Sequence, residues 1–366
     1  MSTSMKRLLI LGAGGAPACN FIRSLRQSKE RFYLVGTDGD PYRLQRSEAD
    51  KNYLVPMASE KEYLPVINAI IKKERIQLIH TQNDYEIAYI SKNRDKLGAR
   101  IFLPNPQTVQ ICQDKFASYL RWQQAGMKVP KTILLNSKRD LVRAFRTLGK
   151  RIWIRATFGA AGKGSLATDN LETAQVWIET HQGWGNFSAA EVLSDKSVTW
   201  MSLWYNGKLI VAQGRSRLYW EMAHLSPTGI TGITGGGMTM NNPKVDAIAL
   251  RAIGAIDPSP HGLFGVDLCI DKNGTPNPTE INIGRFFTTH HFFTAAGLNM
   301  PYMYVKLAYQ EPIPKSTKTI NPLPTGLLWI RGMDRNPVFT TQKAVQAAVT
   351  ELAHLKKQLQ KSIGII

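Results

Sequence analysis

The sequence predicts two fold classes in one chain, an α/β unit on a parallel sheet followed by an α+β region with antiparallel sheets. Three observations predict this. Over about the first 110 residues, short apolar β-type runs alternate with segments of helical spacing, the pattern of parallel strands with helical crossovers. From about residue 188, strands instead follow one another directly through tight turns such as Asn206-Gly207, which joins neighbours as hairpins. The chain has 366 residues, 43% hydrophobic and 20% charged, enough to bury more than one core.

Each element has a local reason. The run 7–11 is a buried strand that falls into Gly12-Ala13-Gly14-Gly15, and residues 20–25 show helical spacing. A second strand covers 32–36 and ends in Thr37-Asp38, and a third and fourth are expected at 76–80 and 100–103. Between them, 61–73 is helical, with Tyr63, Leu64, Ile67, Ile70 and Ile71 on one face. Further on, 114–125 reads as a helix stopped by Gly126, and 136–148 as a helix capped by Ser137. Segment 151–155 is β-rich and opens a glycine loop at 158–165. Strands follow at 188–192, 198–205 and 208–212, then a pair at 262–270 and 278–283 around the turn Asp271-Lys272-Asn273-Gly274. Gly229, Gly232 and Gly235 to Gly237 read as a loop too glycine-rich to pack, suited to a substrate lid. A strand at 327–331 and a Lys-rich helix at 342–360 close the chain.

Composition narrows the function classes. No apolar run approaches the roughly 20 residues of a membrane span. Met5-Lys6-Arg7 followed by 8–11 resembles a signal peptide only superficially, because the apolar run is too short and ends in a glycine turn. Cys19, Cys112 and Cys269 are dispersed and odd in number, which fits a reducing cytoplasmic setting and excludes a disulfide framework or a zinc knuckle. The net charge of +19 favours anionic partners. The basic residues are spread out, with no aromatic-rich basic stripe, so a nucleotide and an acidic substrate suit them better than nucleic acid, and a non-catalytic nucleotide- or nucleic-acid-binding protein stays as an alternative.

Several groups can carry chemistry. Gly12-Ala13-Gly14-Gly15-Ala16-Pro17, with Asp38 ending the second strand, sits where a dinucleotide fingerprint would sit. Pro17 stands at the third glycine position, which disfavours a nicotinamide-dependent oxidoreductase. In 152–165, a strand delivers Arg155 and then a loop carries Gly159, Gly162, Lys163 and Gly164; its amides and cations can cover phosphates, although the spacing is not that of a P-loop. Glu280 and Asn282 lie two apart on one strand and share a face. The turn at 271–274 can bring Asp267 beside them, a hard oxygen set suited to Mg²⁺ with nucleotide phosphates. Arg285 can reach phosphate oxygens, and Arg215 and Arg217 alternate on one strand face toward an anionic substrate. His290-His291 has no third metal ligand at a recognisable spacing.

Over residues 5–310 these motifs, in this order, resemble the ATP-grasp superfamily, especially proteins like the large subunit of carbamoyl-phosphate synthase. Gln113-Asp114-Lys115-Phe116, Ala125 to Pro130, Ala189 to Leu193 and the hairpin acids carry the resemblance. It implies a Rossmann-like pre-ATP-grasp domain (1–110), then a two-lobed ATP-grasp fold. The small lobe is expected at 111–190, the large lobe with the metal site at 191–310, and a strand-and-helix tail at 311–366. It implies that Lys115 and Arg155 bind ATP phosphates, with Gly162, Lys163 and Gly164 over them, and that Glu191, Val192 and Leu193 read the adenine. Asp267, Glu280 and Asn282 would hold Mg²⁺ or Mn²⁺, and Arg285 would act on the transition state, with Arg215 and Arg217 on the substrate anion. The ribose-binding acid usual after the hinge is replaced by Ser197 or Thr199. The implied activity is an ATP-dependent carboxylate–amine ligase working on small molecules, and the resemblance favours a homodimer. No counterpart of a glutamine amidotransferase or of a second synthetase half is found, so full carbamoyl-phosphate synthesis by this chain alone is not expected.

Overall fold

The computed structural model describes residues 5–159, 162, 164–225, 228, 232–332, 338–343, 346 and 350. Its first part contains strands β1 (Lys6–Leu11), β2 (Phe32–Asp38), β3 (Lys51–Leu54), β4 (Leu78–Thr81) and β5 (Arg100–Ile101). They pair in parallel in the order β3-β2-β1-β4-β5. Helices α1 (Ala16–Arg26), α2 (Pro41–Leu44), α3 (Tyr63–Glu74) and α4 (Asp84–Lys92) connect them. The strands are apolar on both sides, as a covered parallel sheet requires: Leu8 and Ile10 join the core with α1, whereas Leu9 and Leu11 join the core with α3.

The glycine turn after β1 is closed by the chain itself. A Cβ at Gly14 would lie 1.9 Å from the carbonyl oxygen of Arg43, so α2 presses on the turn. Asp38 is buried and accepts the N–H groups of Gly14 (3.1 Å) and Asp40 (3.0 Å). A dinucleotide needs both that approach and that acid; neither is available, and the oxidoreductase alternative loses its site.

Beside this turn, Glu86 is 5% exposed and accepts the Tyr63 hydroxyl at 2.8 Å. Burial pushes its carboxyl up to about 7. Such an acid binds more protons folded than unfolded. Stability from it is therefore greatest below the ordinary value of 4.5 and falls as pH rises to about 7, by about 3 kcal/mol in total. Glu86→Gln is expected to flatten that slope in urea unfolding at a series of pH values; an unaltered slope would refute the assignment.

Two short helices, α5 (Pro106–Gln113) and α6 (Lys115–Gln124), lead into the small lobe. Its sheet has the order β6-β9-β7-β8, from β6 (Thr132–Leu134), β7 (Ile152–Ala156), β8 (Leu166–Thr168) and β9 (Phe187–Glu191). Helices α7 (Lys138–Leu148) and α8 (Leu171–Thr180) pack on one side around Leu141, Ile154 and Ile178. Ser137 caps α7 as expected, accepting the Asp140 N–H.

The large lobe is an antiparallel sheet in the order β14-β13-β10-β11-β12-β15-β16. Its strands are β10 (Ser197–Tyr205), β11 (Lys208–Glu221), β12 (Ile233–Met240), β13 (Gly262–Ile270), β14 (Pro276–Ile283), β15 (Leu327–Ile330) and β16 (Val338–Thr341). Asn206 and Gly207 both take positive φ in the β10–β11 turn, as the sequence implied. Helix α9 (Pro243–Gly254) covers one face, while α10 (His291–Ala295) and α11 (Met300–Ala308) join the other to α1 of the first domain. Period-two alternation on β10 divides its side chains: Val198, Trp200 and Trp204 meet α9, and Met201 and Leu203 meet the other core. Trp200 is fully buried, and its indole donates to Asp246 at 2.8 Å. Trp200→Ala is expected to destabilise the protein by about 3–5 kcal/mol, read from denaturant midpoints, with the nucleotide site unaffected in the fraction still folded.

Three expectations change. Gly235 to Gly237 are not a loop but part of β12. The glycines make room for neighbours: a Cβ at Gly235 would meet the Tyr219 ring at 2.1 Å, and one at Gly237 would meet Arg215 Cδ at 3.3 Å. The strand expected at 208–212 continues to Glu221, because β12 pairs along its extension. The strand of the expected tail beginning at 311 belongs to the large sheet, since β15 pairs with β12. The expected lid residue Gly229 and most of the closing helix 342–360 lie outside the described residues.

Candidate active site

Register across the large sheet builds the site. Glu280 pairs with Asp267, Asp267 with Thr199, and Thr199 with Arg215. Directly paired residues share a face, so β14, β13, β10 and β11 present a row of two acids, a hydroxyl and a guanidinium. At roughly 4.8 Å per strand, Asp267 and Arg215 are spaced roughly 10 Å apart along the sheet. The row faces a cleft of about 360 Å³ between the lobes.

Within the row, Asp267 accepts the Thr199 hydroxyl at 2.5 Å and the Asn282 amide at 3.0 Å. Burial pushes its carboxyl above the usual range, against the pull of Arg217. Glu280 goes the other way. Burial alone would raise it, but Lys115, Arg155 and Arg285 together hold it below its usual value. Lys115 Nζ lies 3.6 Å from Glu280 and donates to the Gly159 carbonyl at 2.5 Å. Its position follows from sequence: Asp114 caps α6 by accepting the N–H groups of Phe116 and Ala117, which sets Lys115 as the first helical residue. Arg155 projects from β7 and donates to the Thr279 carbonyl at 2.8 Å, and its buried Nε has no partner. An orphaned buried donor of this kind fits an anion.

Two hard carboxylates beside three cations suit Mg²⁺ held jointly by protein and phosphates, the ion's usual arrangement. Among the described residues no cluster of three His, Cys, Asp or Glu side chains forms a metal cage by itself. The Asn282 amide oxygen accepts from Arg285, so that residue bonds to its neighbours on both sides.

The hinge closes one end. Glu191 ends β9; its carboxylate accepts the Lys131 N–H at 3.0 Å, and its own N–H donates to the Lys131 carbonyl at 3.1 Å. Val192, Leu193 and Trp153 line the cleft there. At the other end, Arg215 is 2% exposed and lies 4.6 Å from the Phe287 ring centroid; its Nε and Nη1 have no partner. Burial pushes its guanidinium down to about 9. Arg217 stacks on Trp220 at 3.7 Å and donates to Thr234 at 2.9 Å and to Ser197.

One cleft thus gathers Lys115, Arg155, Gly162, residues 191–193, Arg215, Arg217, Asp267, Glu280, Asn282 and Arg285. Gly164 turns away: its carbonyl accepts the Trp177 indole, and it abuts Phe187 in the small lobe. Lys163 lies outside the described residues. Ser197 and Thr199, expected near a ribose, are engaged by Arg217 and Asp267. His290 is a buried imidazole pushed down to about 3 by burial, held by the Phe287 carbonyl.

Some site residues escaped the sequence reading. Asp84 pairs with Arg285 at 2.6 and 3.3 Å. Asp195 lines the cleft just past the hinge. The available signal for Asp84 was its place directly after a parallel strand, where α/β sheets present their ligand-facing residues.

Known proteins resemble the chain in sequence over part of its length and in fold over most of it. Residues 8–101 match the family model "PylC-like, N-terminal domain". The chain is 24% identical over 220 residues to the N-terminal section of the carbamoyl phosphate synthase large chain of Aquifex aeolicus, covering 54% of this chain and 37% of that protein. It is 25% identical over 223 residues to the D-alanine–D-alanine ligase of Nitrosospira multiformis, covering 54% and 66%. In each case the match spans less than two thirds of the relative's length. Among solved structures, N5-carboxyaminoimidazole synthetase from Staphylococcus aureus complexed with ADP superposes with a TM-score of 0.68 at 19% identity, over 89% of this chain and 82% of that one. The protein has the ATP-grasp fold, and its residues 8–101 are similar to the PylC-like N-terminal domain.

Proposed function

We propose that the protein is an ATP-dependent ligase that activates a carboxylate as an acyl phosphate for attack by an amine, releasing ADP and phosphate. The observation that carries this is the convergence in one cleft of Lys115 and Arg155 on one wall with Asp267 and Glu280 on the other. Adenine lies against Glu191, Val192 and Leu193, and Asp195, the next acid along the chain, serves the sugar hydroxyls. Lys115 and Arg155 neutralise the phosphates. Asp267, Glu280 and Asn282 would hold Mg²⁺, or Mn²⁺ in its place, which would supply positive charge against that developing in phosphoryl transfer.

Arg215 and Arg217 hold the substrate acid so that a carboxylate oxygen faces the γ-phosphorus. That oxygen forms the new P–O bond as the bond to ADP breaks. The amine then forms the C–N bond, phosphate leaves, and the amine gives up a proton. Arg285 stabilises the charge on the transferring group. The cleft walls keep water from the acyl phosphate. The substrates are small molecules, the setting is cytoplasmic, and the assembly is a homodimer. No helix among the described residues is long and apolar enough to cross a membrane.

The test is ADP release with Mg²⁺-ATP across a panel of amino acids, dipeptides and bicarbonate, each with and without an amine. Release that requires both an acid and an amine supports the ligase. No ADP release with any acid, together with salt-sensitive binding of nucleic acid, would refute it.

A further inference from the structure

The N-terminal domain reaches the reaction centre at the start of α4. Asp84 is the first residue of that helix, placed by the Asn83 cap and held by Gln113, whose amide donates to the Asp84 carbonyl at 2.7 Å. Its two carboxylate oxygens accept Nε and Nη2 of Arg285, a two-point fork that fixes the plane of the guanidinium. The same Nη2 donates to Asn282 Oδ1, and Asn282 in turn donates to Asp267. A chain of charge-assisted bonds therefore runs from the first domain into the hairpin acids. Both partners of the ion pair are about 15% exposed.

Packing alone does not hold the guanidinium. A small cavity of about 20 Å³ lies between Asp84, Lys115, Glu280 and Arg285, room enough for a water molecule.

We propose that Asp84 is a positioning residue for the proposed ligase reaction, holding Arg285 in the plane from which it meets the transferring phosphoryl group. The inference rests on the ligase reading above. Removing the Asp84 charge frees the guanidinium to swing while adding net positive charge beside the phosphates. Rate and nucleotide affinity then move in opposite directions, which loss of a merely structural contact would not produce.

The experiment is a double-mutant cycle in the full chain, with Asp84→Asn, Arg285→Ala and both together. It reads kcat for ADP release and, separately, the Kd for ADP by fluorescence titration. Asp84→Asn is expected to lower kcat by roughly 10- to 100-fold while ADP binding stays equal or tightens. In the Arg285→Ala background it is expected to change kcat no further and to tighten ADP by less, because no freed guanidinium is there to reach the phosphates. Asp84→Glu, which keeps the charge, is expected to recover part of the rate that the closer isostere loses; it also serves if the Asn variant folds poorly. An equal rate loss in both backgrounds, or ADP affinity falling in step with kcat, would overturn the proposal. If the wild-type protein turns over no acid, the ligase reading fails, and the ADP-binding arm of the cycle still decides whether Asp84 acts through Arg285.

Discussion

Glu280→Gln is expected to leave the fold intact and to slow Mg²⁺-ATP-dependent ADP release by roughly 10²-fold or more. The substitution is nearly isosteric, and the side chain is 28% exposed, so packing changes little. Its charge is what matters. Lys115, Arg155 and Arg285 hold the Glu280 carboxyl below its usual value, so it is ionised at neutral pH. As a neutral amide it leaves those three cations facing the phosphates with one fewer opposing charge, and it grips a divalent ion less well. Ground-state nucleotide binding without metal is therefore expected to be unchanged or stronger, while the metal-dependent rate falls. Steady-state turnover against Mg²⁺ concentration, with circular dichroism as a check on folding, measures both. Unchanged turnover would end the assignment of the hairpin as the metal site.

Arg215→Met carries the second large effect, with opposite consequences for stability and function. In the free protein the guanidinium is 2% exposed and two of its nitrogens have no partner. Burying such a group is costly without an anion. Met fills much the same volume against Phe287, so the variant is expected to be as stable or more stable in urea. Its kcat/KM for the acid is expected to fall by about 10²–10³-fold, the scale of losing a charge-assisted contact to a buried anion, with the KM for ATP nearly unchanged. A variant that loses stability but keeps its kcat/KM for the acid would make Arg215 structural.

What the sequence revealed followed from local rules. Glu280 and Asn282 had to share a face because strand side chains alternate, and the Asn-Gly turn had to be tight because both residues accept positive φ. The capped start at Asp114 placed Lys115 in the same way. Contacts between distant segments were not legible. Asp84 and Arg285 are 201 residues apart, and neither carries a local mark of the other. The closing of the N-terminal glycine turn depends on Arg43, brought over it by α2. Gly235 to Gly237 misled because glycine lowers strand propensity on its own account. Here the strand exists because β11 and β15 pair on both sides and Tyr219 occupies the space that side chains would need.

The in-register row on the large sheet has a consequence for how such a site changes over time. Rungs of a β-ladder have a pitch set by backbone hydrogen bonding, so under the proposed function Glu280, Asp267, Thr199 and Arg215 would mark off a fixed yardstick between phosphate chemistry and anion capture. Replacing a rung alters which molecule is gripped, not how far along it the grip falls. A descendant enzyme can exchange its substrate by single substitutions at Thr199 or Arg215 while the distance its reaction depends on is inherited unchanged.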